Sequence, residues 1–259
     1  MKSDLIKFMF IAMSPLLITA CISSQPAAVV EVADLAGAIN HPERKVGDSK
    51  NDERRKAEET LAFFGVAPGM KIFEIEAGGG YFTELMSRVV GPNGEVVMQN
   101  PESFLGFFGD ELTVRLADNR LTNVRQSLSI FDAFDAEDRS MDLVTWVQGP
   151  HELYYIQEDV STLGDPAASY AEIFRITKPG GSFVVIDHSA VDGSPKISGN
   201  ELHRIDPNIV IEMAEAAGFE LEASADFLAN PDDDRTVIVF SPTVRGKTDQ
   251  FALRFRKPE

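Results

Sequence analysis

Cysteine is all but missing from this chain: Cys21 stands alone among 259 residues. That excludes an intramolecular disulfide and any zinc centre built from cysteines. Positive charge is also scarce, with 24 Lys and Arg against 41 Asp and Glu and a formal net charge of −17. A nucleic-acid-binding surface needs a basic footprint, so no nucleic acid is expected among the partners. The acidity reads as a device for solubility. There is no G-x-x-x-x-G-K-[ST] run, so a P-loop is excluded, and there is no internal repeat or low-complexity segment. What is present is apolar substance: 44% of residues are hydrophobic, enough for a full core and too many for a disordered chain. The length suits one sizeable α/β domain or two small ones.

The first residues read MKSDLIKFMFIAMSPLLITAC. The apolar run at 8–20 has 13 residues, too few for a membrane-spanning helix but right for a signal-peptide core, and Lys2 and Lys7 mark the head before it. Ile18-Thr19-Ala20-Cys21 then resembles the bacterial lipobox, in which the cysteine is lipidated and becomes the new N-terminus. An ordinary signal peptide with a cysteine nearby is the alternative. The expected organisation is a signal peptide at 1–20, a tether at 21–50 and one domain at 51–259. The expected location is the periplasm, with a membrane anchor of acyl chains on Cys21.

From about Asn51 onward, helix and strand patterns alternate. Ala57, Leu61 and Phe64 share a helical face, and Gly65 can close that helix. Strands are expected at 71–75, 95–99, 123–128, 142–148 and 182–187. Helices are expected at 82–90, 103–121 and 167–176, the last ended by Lys178-Pro179-Gly180-Gly181. Asp206-Pro207 is a capped helix start, and that helix runs to Gly218. Residues 219–226, 236–241 and 251–256 are β-like without intervening helices and are expected as an antiparallel edge. Short buried strands alternating with helices imply an α/β fold, doubly wound around a mostly parallel sheet.

The chemically suggestive stretch is EIEAGGGYFTEL, Glu74 to Leu85. Glycines after a first strand let a ligand approach the backbone, and the following helix offers unpaired N–H groups. A tight turn with no ligand is the competing reading. A dinucleotide fingerprint fits poorly, because Thr83 stands where the third glycine of G-x-G-x-x-G should be. The register of Glu74, Gly78 and Gly80 fits instead a turn for S-adenosylmethionine (SAM), with an acid closing the strand and glycines at alternate positions. RITKPGGSFVVID and SMDLVTWVQ resemble the fifth and fourth strand regions of class I SAM-dependent methyltransferases. LAFFGVAPGM, GGGYFTE, ELHRIDP, EAAGFEL and RGKTDQFALRFRKP are similar to a family of predicted bacterial methyltransferases. The resemblance covers about residues 51–259. It implies a seven-stranded sheet, SAM as cofactor, and cofactor contacts from Glu74, Glu76, Gly78, Gly79, Gly80, Asn100 and Gln148.

Two of these residues depart from the pattern. Glu76 replaces the usual first glycine, where its carboxylate can repel the carboxylate of SAM or pair with its ammonium. Asn100 replaces the acid expected to grip the ribose hydroxyls, and it lacks charge-assisted strength. Together they suggest weak SAM binding or a changed ligand, and an exported domain lies away from the cytosolic source of SAM.

Methyl transfer needs an acceptor placed in line with the sulfonium and sometimes a base. His151, after the fourth strand, is the candidate base. Tyr154 and Tyr155 are candidates to wall the substrate pocket, or else core residues. Asp187, His188 and His203 follow the fifth strand; structural roles are preferred for Asp187 and His203. No short ligand spacing supports a metal site among the histidines, so none is expected. Trp146 is expected in the core. The leading expectation is a methyltransferase acting on a small or lipid-like acceptor; the rival is a non-catalytic binding module of the same fold.

Overall fold

The structure, a computed structural model, describes residues 33–156 and 163–259. The expected signal peptide, Cys21 and the first part of the tether lie outside the described residues. Among the described residues, no helix is long and apolar enough to cross a membrane.

In chain order the elements are α1 (Leu35–Ile39), α2 (Ala57–Phe64), β1 (Lys71–Ile75), α3 (Tyr81–Val90), β2 (Glu95–Gln99), α4 (Leu105–Phe108), α5 (Glu111–Leu116), β3 (Val124–Ser127), β4 (Met141–Val147), α6 (Pro166–Ile176), β5 (Thr177–His188), α7 (Ser198–Leu202), α8 (Pro207–Ala217), β6 (Glu220–Ala225) and β7 (Gln250–Arg256). The seven strands form one sheet in the order β3-β2-β1-β4-β5-β7-β6. The first five pair in parallel, and β7 runs antiparallel to both β5 and β6. Strand order reverses between β1 and β4, which opens a crevice at their carboxyl ends.

Alternate side chains of each strand feed two cores, one on each sheet face. Phe73, Val97, Val144, Trp146, Phe183 and Val185 meet α6 and α8 through Tyr170, Ile173, Ile176, Val210 and Ala214. Ile72, Val96, Leu143, Val184 and Ile186 meet α2 and α3 through Leu61, Phe64, Phe82, Leu85, Met86 and Val90. Each large apolar side chain fully buried in this way contributes about 1.5–3 kcal/mol. Two apolar faces explain why the strands read as nearly continuous hydrophobic runs.

Four expectations need correction. The domain does not begin at 51: within the expected tether, α1 buries Ala38 against the second core. Asp48 is also buried, and Arg44 pairs with Asp52 at 2.7 Å. The expected helix at 103–121 is broken into α4 and α5 at Gly109, whose φ is +51°. Residues 236–241 form turns rather than a strand. Val237, Ile238 and Phe240 are exposed there, and the segment is pinned from outside the sheet by the buried pair Arg204–Asp233 at 2.9 Å. Finally, the fifth strand begins at Thr177 rather than at 182: α6 ends at Ile176 as expected, and Lys178–Gly181 form the irregular start of β5, with Gly180 at φ +70°.

A buried charge cluster ties these parts together. Arg115 of α5 donates from Nη1 to Asp48 and to Glu84 of α3, both at 2.6 Å, and from Nε to the Gly79 carbonyl at 2.9 Å. Arg120 and Arg88 also donate to Glu84, each at 2.7 Å. Burial alone would raise the Glu84 pKa, but the three arginines outweigh it and hold the carboxyl down at about 2. A carboxyl depressed on folding adds stability that is complete above its ordinary pKa of 4.5 and is lost as pH falls through about 2. Glu84→Gln is therefore expected to lower unfolding free energy by about 3–5 kcal/mol at neutral pH, the cost of breaking a buried ion pair. The difference from the wild type should shrink between pH 4.5 and about 2 in urea titrations. A pH-independent difference would show that the Glu84 charge is not its source.

Candidate functional site

The turn after β1 lies in the crevice and borders a cavity of about 520 Å³. Glu74, Glu76, Gly78, Gly79 and Gln148 line it, as the sequence suggests. Gly80 and Asn100 do not line it. Gly80 has φ +77°, and a Cβ there would lie 2.7 Å from Met98 and 3.2 Å from Arg115, so close packing accounts for that glycine. Asn100 is buried and grips the turn itself: its Oδ1 accepts from Gly78 N–H at 2.8 Å and its Nδ2 donates to Gly78 O at 3.2 Å. An amide engaged twice by backbone is not presented to a ribose.

Two non-glycine residues on the cavity wall hold left-handed backbone. Glu76 ends β1 at φ +53° and Gln148 ends β4 at φ +59°. Such conformations cost on the order of 1–3 kcal/mol each and persist where surroundings impose them. Gln99 Oε1 accepts from Glu76 N–H at 2.8 Å, and Gln148 N–H donates to Ile186 O at 2.6 Å. Position 76 thus keeps the backbone of the missing glycine while carrying a carboxyl group. That group accepts from Trp146 Nε1 at 3.1 Å. Burial first, and the Glu152 carboxylate second, push its pKa well above that of an ordinary carboxyl. A raised pKa weakens the repulsion of a ligand carboxylate, one of the two effects the sequence leaves open for Glu76. Trp146 is in the core as expected, and it also orients Glu76.

Glu74 is buried and accepts from the Thr83 hydroxyl. Burial pushes its pKa up to about 7, against smaller opposing effects from Thr83, Arg115 and Arg55. The same bond gives Thr83 a role where a dinucleotide fingerprint has glycine.

The sequence reading missed the rest of the wall. Lys45, Asp48, Lys50, Asn51 and Arg55 come from the stretch before β1, and Phe108, Glu111 and Arg115 from α4 and α5. Arg55 has no ion-pair partner among the described residues; its guanidinium lies 4.7 Å from the Tyr81 ring centroid, and its buried Nε lacks a hydrogen bond. Desolvation lowers its pKa from 12.5, yet it stays cationic at neutral pH. The run HPERKVGDSKNDERRK carried the only hint, a density of basic residues in an acidic chain.

A second group lies over the ends of β4 and β5. Buried Asp187 accepts from His151 N–H at 3.0 Å, bonds His151 Nδ1 at 2.8 Å and accepts from His188 N–H at 2.7 Å. Burial would lower the His151 pKa, but Asp187 and Glu152 raise it to about 10. Held between two carboxylates, that imidazole keeps its proton more firmly than an ordinary histidine does. Tyr154 packs on the first core and its hydroxyl is buried without a partner; it does not line the cavity. Its pKa is pushed up to about 12 by burial. His188 bonds Thr248 at 2.7 Å. His203 ends α7, and Asp206 is the N-cap of α8, as expected.

Comparisons with known proteins bear on the fold. No protein-family model matches the chain. The ubiquinone/menaquinone biosynthesis C-methyltransferase UbiE of Shewanella halifaxensis is 26% identical over 164 residues, covering 61% of this chain and 60% of the relative. The chain thus spans about 60% of the length of that curated relative. A SAM-dependent methyltransferase from Aquifex aeolicus superposes with a TM-score of 0.57 at 19% identity, covering 82% of this chain and 99% of the other. The [4+2]-cyclase SpnF superposes at 0.58 with 16% identity, covering 79% and 80%. The fold is the α/β fold of class I methyltransferases.

Proposed function

We propose that this chain is a SAM-dependent methyltransferase. The observation that carries the reading is the cavity under the glycine turn, at the point where strand order reverses, with the Arg55 cation, which has no ion-pair partner among the described residues, in its wall. Arg55 offers the carboxylate of SAM a charge-assisted partner. Glu76, whose carboxyl is made reluctant to ionise by burial, can accept from the SAM ammonium, whose positive charge favours the ionised form. Glu111, whose carboxylate comes over Gly79, takes the ribose role that Asn100 does not fill. The sequence relatives and the structural neighbours that are methyltransferases support the same assignment.

The acceptor proposed is a small or lipid-like molecule. The UbiE relatives, whose name refers to quinone synthesis, favour an apolar ring compound. A lipid anchor at Cys21 would hold the domain at a membrane surface, where such acceptors concentrate. Cys21→Ser should then move the protein from the membrane fraction to the soluble fraction; unchanged partitioning would remove the anchor from the account. A second reading, a binding domain that transfers nothing, is favoured by the engagement of Asn100 with Gly78.

Calorimetric titration of the purified protein tests the main reading. Micromolar binding of SAM and of S-adenosylhomocysteine is expected. Arg55→Gln should weaken it about tenfold or more, as loss of a hydrogen bond to a charged group implies. Gly78→Val should abolish it. A folded protein that binds neither compound up to millimolar concentration would contradict the proposal.

A further inference from the structure

The end of β4 and the end of α7 bring together a second set of ligand atoms beyond the cofactor cavity. One donor each from His151, Glu152 and His203 lies within 4.8 Å of the others. His151 and His203 are buried and Glu152 is half-buried. The two imidazoles are held the way metal-bound imidazoles are held. His151 Nδ1 is fixed by the Asp187 carboxylate at 2.8 Å, and His203 Nδ1 by the Gly199 carbonyl at 3.1 Å. In each ring Nε2 is left for the cluster, and a second-shell acceptor that fixes the tautomer is what a metal site uses to aim its ligands.

We infer that His151, Glu152 and His203 form a binding site for a divalent transition metal ion, zinc by preference. Two imidazoles and one carboxylate make a borderline donor set suited to zinc, with a fourth position left for water or an oxygen-bearing ligand. Zinc bonds of about 2.0–2.1 Å to nitrogen and oxygen place tetrahedral ligands about 3.3 Å apart. His151 Nε2 and Glu152 Oε1 are already 3.4 Å apart. The remaining separations reach 4.8 Å, so binding draws the His203 ring inward. That ring has packing on three sides: the His151 ring at 5.3 Å, Tyr155 at 4.8 Å and Phe240 at 4.8 Å between centroids. An aromatic surround limits access of water, which strengthens the metal–ligand bonds. His188 is not a ligand, because its Nδ1 bonds Thr248 and its ring centroid is 6.1 Å from that of His151. The sequence could not show this set: His151 and Glu152 are adjacent, but His203 arrives from 51 positions away through α7. The ion would take the place otherwise held by the Nε2 proton of His151.

The site does not depend on the SAM assignment, and its test reads metal directly. The full chain, stripped with a chelator and dialysed, is titrated with Zn²⁺ by calorimetry, and bound zinc is counted by mass spectrometry. One equivalent is expected in the wild type. His203→Ala and Glu152→Ala should each weaken binding tenfold or more while circular dichroism stays that of the wild type. Asp187→Asn should weaken it about 10–100-fold, as expected for a second-shell partner. Less than one equivalent of zinc on the folded wild type would overturn the inference. So would equal affinity in the His203→Ala and Glu152→Ala proteins, which would locate the metal elsewhere on the chain.

Discussion

The guanidinium of Arg115 is the joint on which the cofactor side of this domain depends. It is almost wholly buried, and it bonds three elements that have no covalent reason to meet: the segment before α2 through Asp48, α3 through Glu84, and the glycine turn through the Gly79 carbonyl. A buried charge left unpaired is far costlier than the same charge paired. Each partner is therefore held by the others, and the geometry of the turn follows from the set. The bent path through α4 and α5 follows as well. It brings Phe108 to Gly78 and Glu111 to Gly79, covering the turn from outside.

Strain and charge in the crevice point the same way. The two strand ends that flank it both carry side chains on left-handed backbone, at Glu76 and Gln148. Both are held there by hydrogen bonds from β2 and β5. The cavity wall holds the Arg55 guanidinium without an ion-pair partner among the described residues, in a chain with an excess of acids. A zwitterionic ligand bearing a carboxylate and an ammonium group meets complementary groups on such a wall. A structural neighbour described as a cyclase shows that fold alone does not select the chemistry. The case for methyl transfer rests on the cavity together with the relatives, and not on the sheet.

The strands were legible in the sequence because parallel strands buried on both faces leave a local mark. β1 and β2 have the bounds their apolar runs suggest, Lys71–Ile75 and Glu95–Gln99. The ends of α3 and α8 were legible through Gly91 and Gly218. What escaped was decided by contacts distant in sequence. Residues 33–50 have a loop-like composition, and only the pairing of Asp48 with Arg115 and the burial of Ala38 show them to be part of the domain. Residues 236–241 have β-forming side chains, but the Arg204–Asp233 pair holds the neighbouring chain in turns. Of the residues that motif and family resemblance single out, Glu74, Glu76, Gly78, Gly79 and Gln148 line the cavity. Arg55 could not be singled out, since nothing local distinguishes it from its basic neighbours. The engagement of Asn100 with Gly78 was equally hidden, because it depends on how the end of β2 meets the turn.

The most direct measurement of the central claim is an experimental structure of the protein with S-adenosylhomocysteine bound. The account predicts the ligand in the cavity between Gly78 and Gln148, its carboxylate on Arg55, its ammonium facing Glu76 and its ribose toward Glu111. Ligand bound elsewhere on the surface, with Arg55 still unpaired and Glu76 still held only by Trp146, would contradict it.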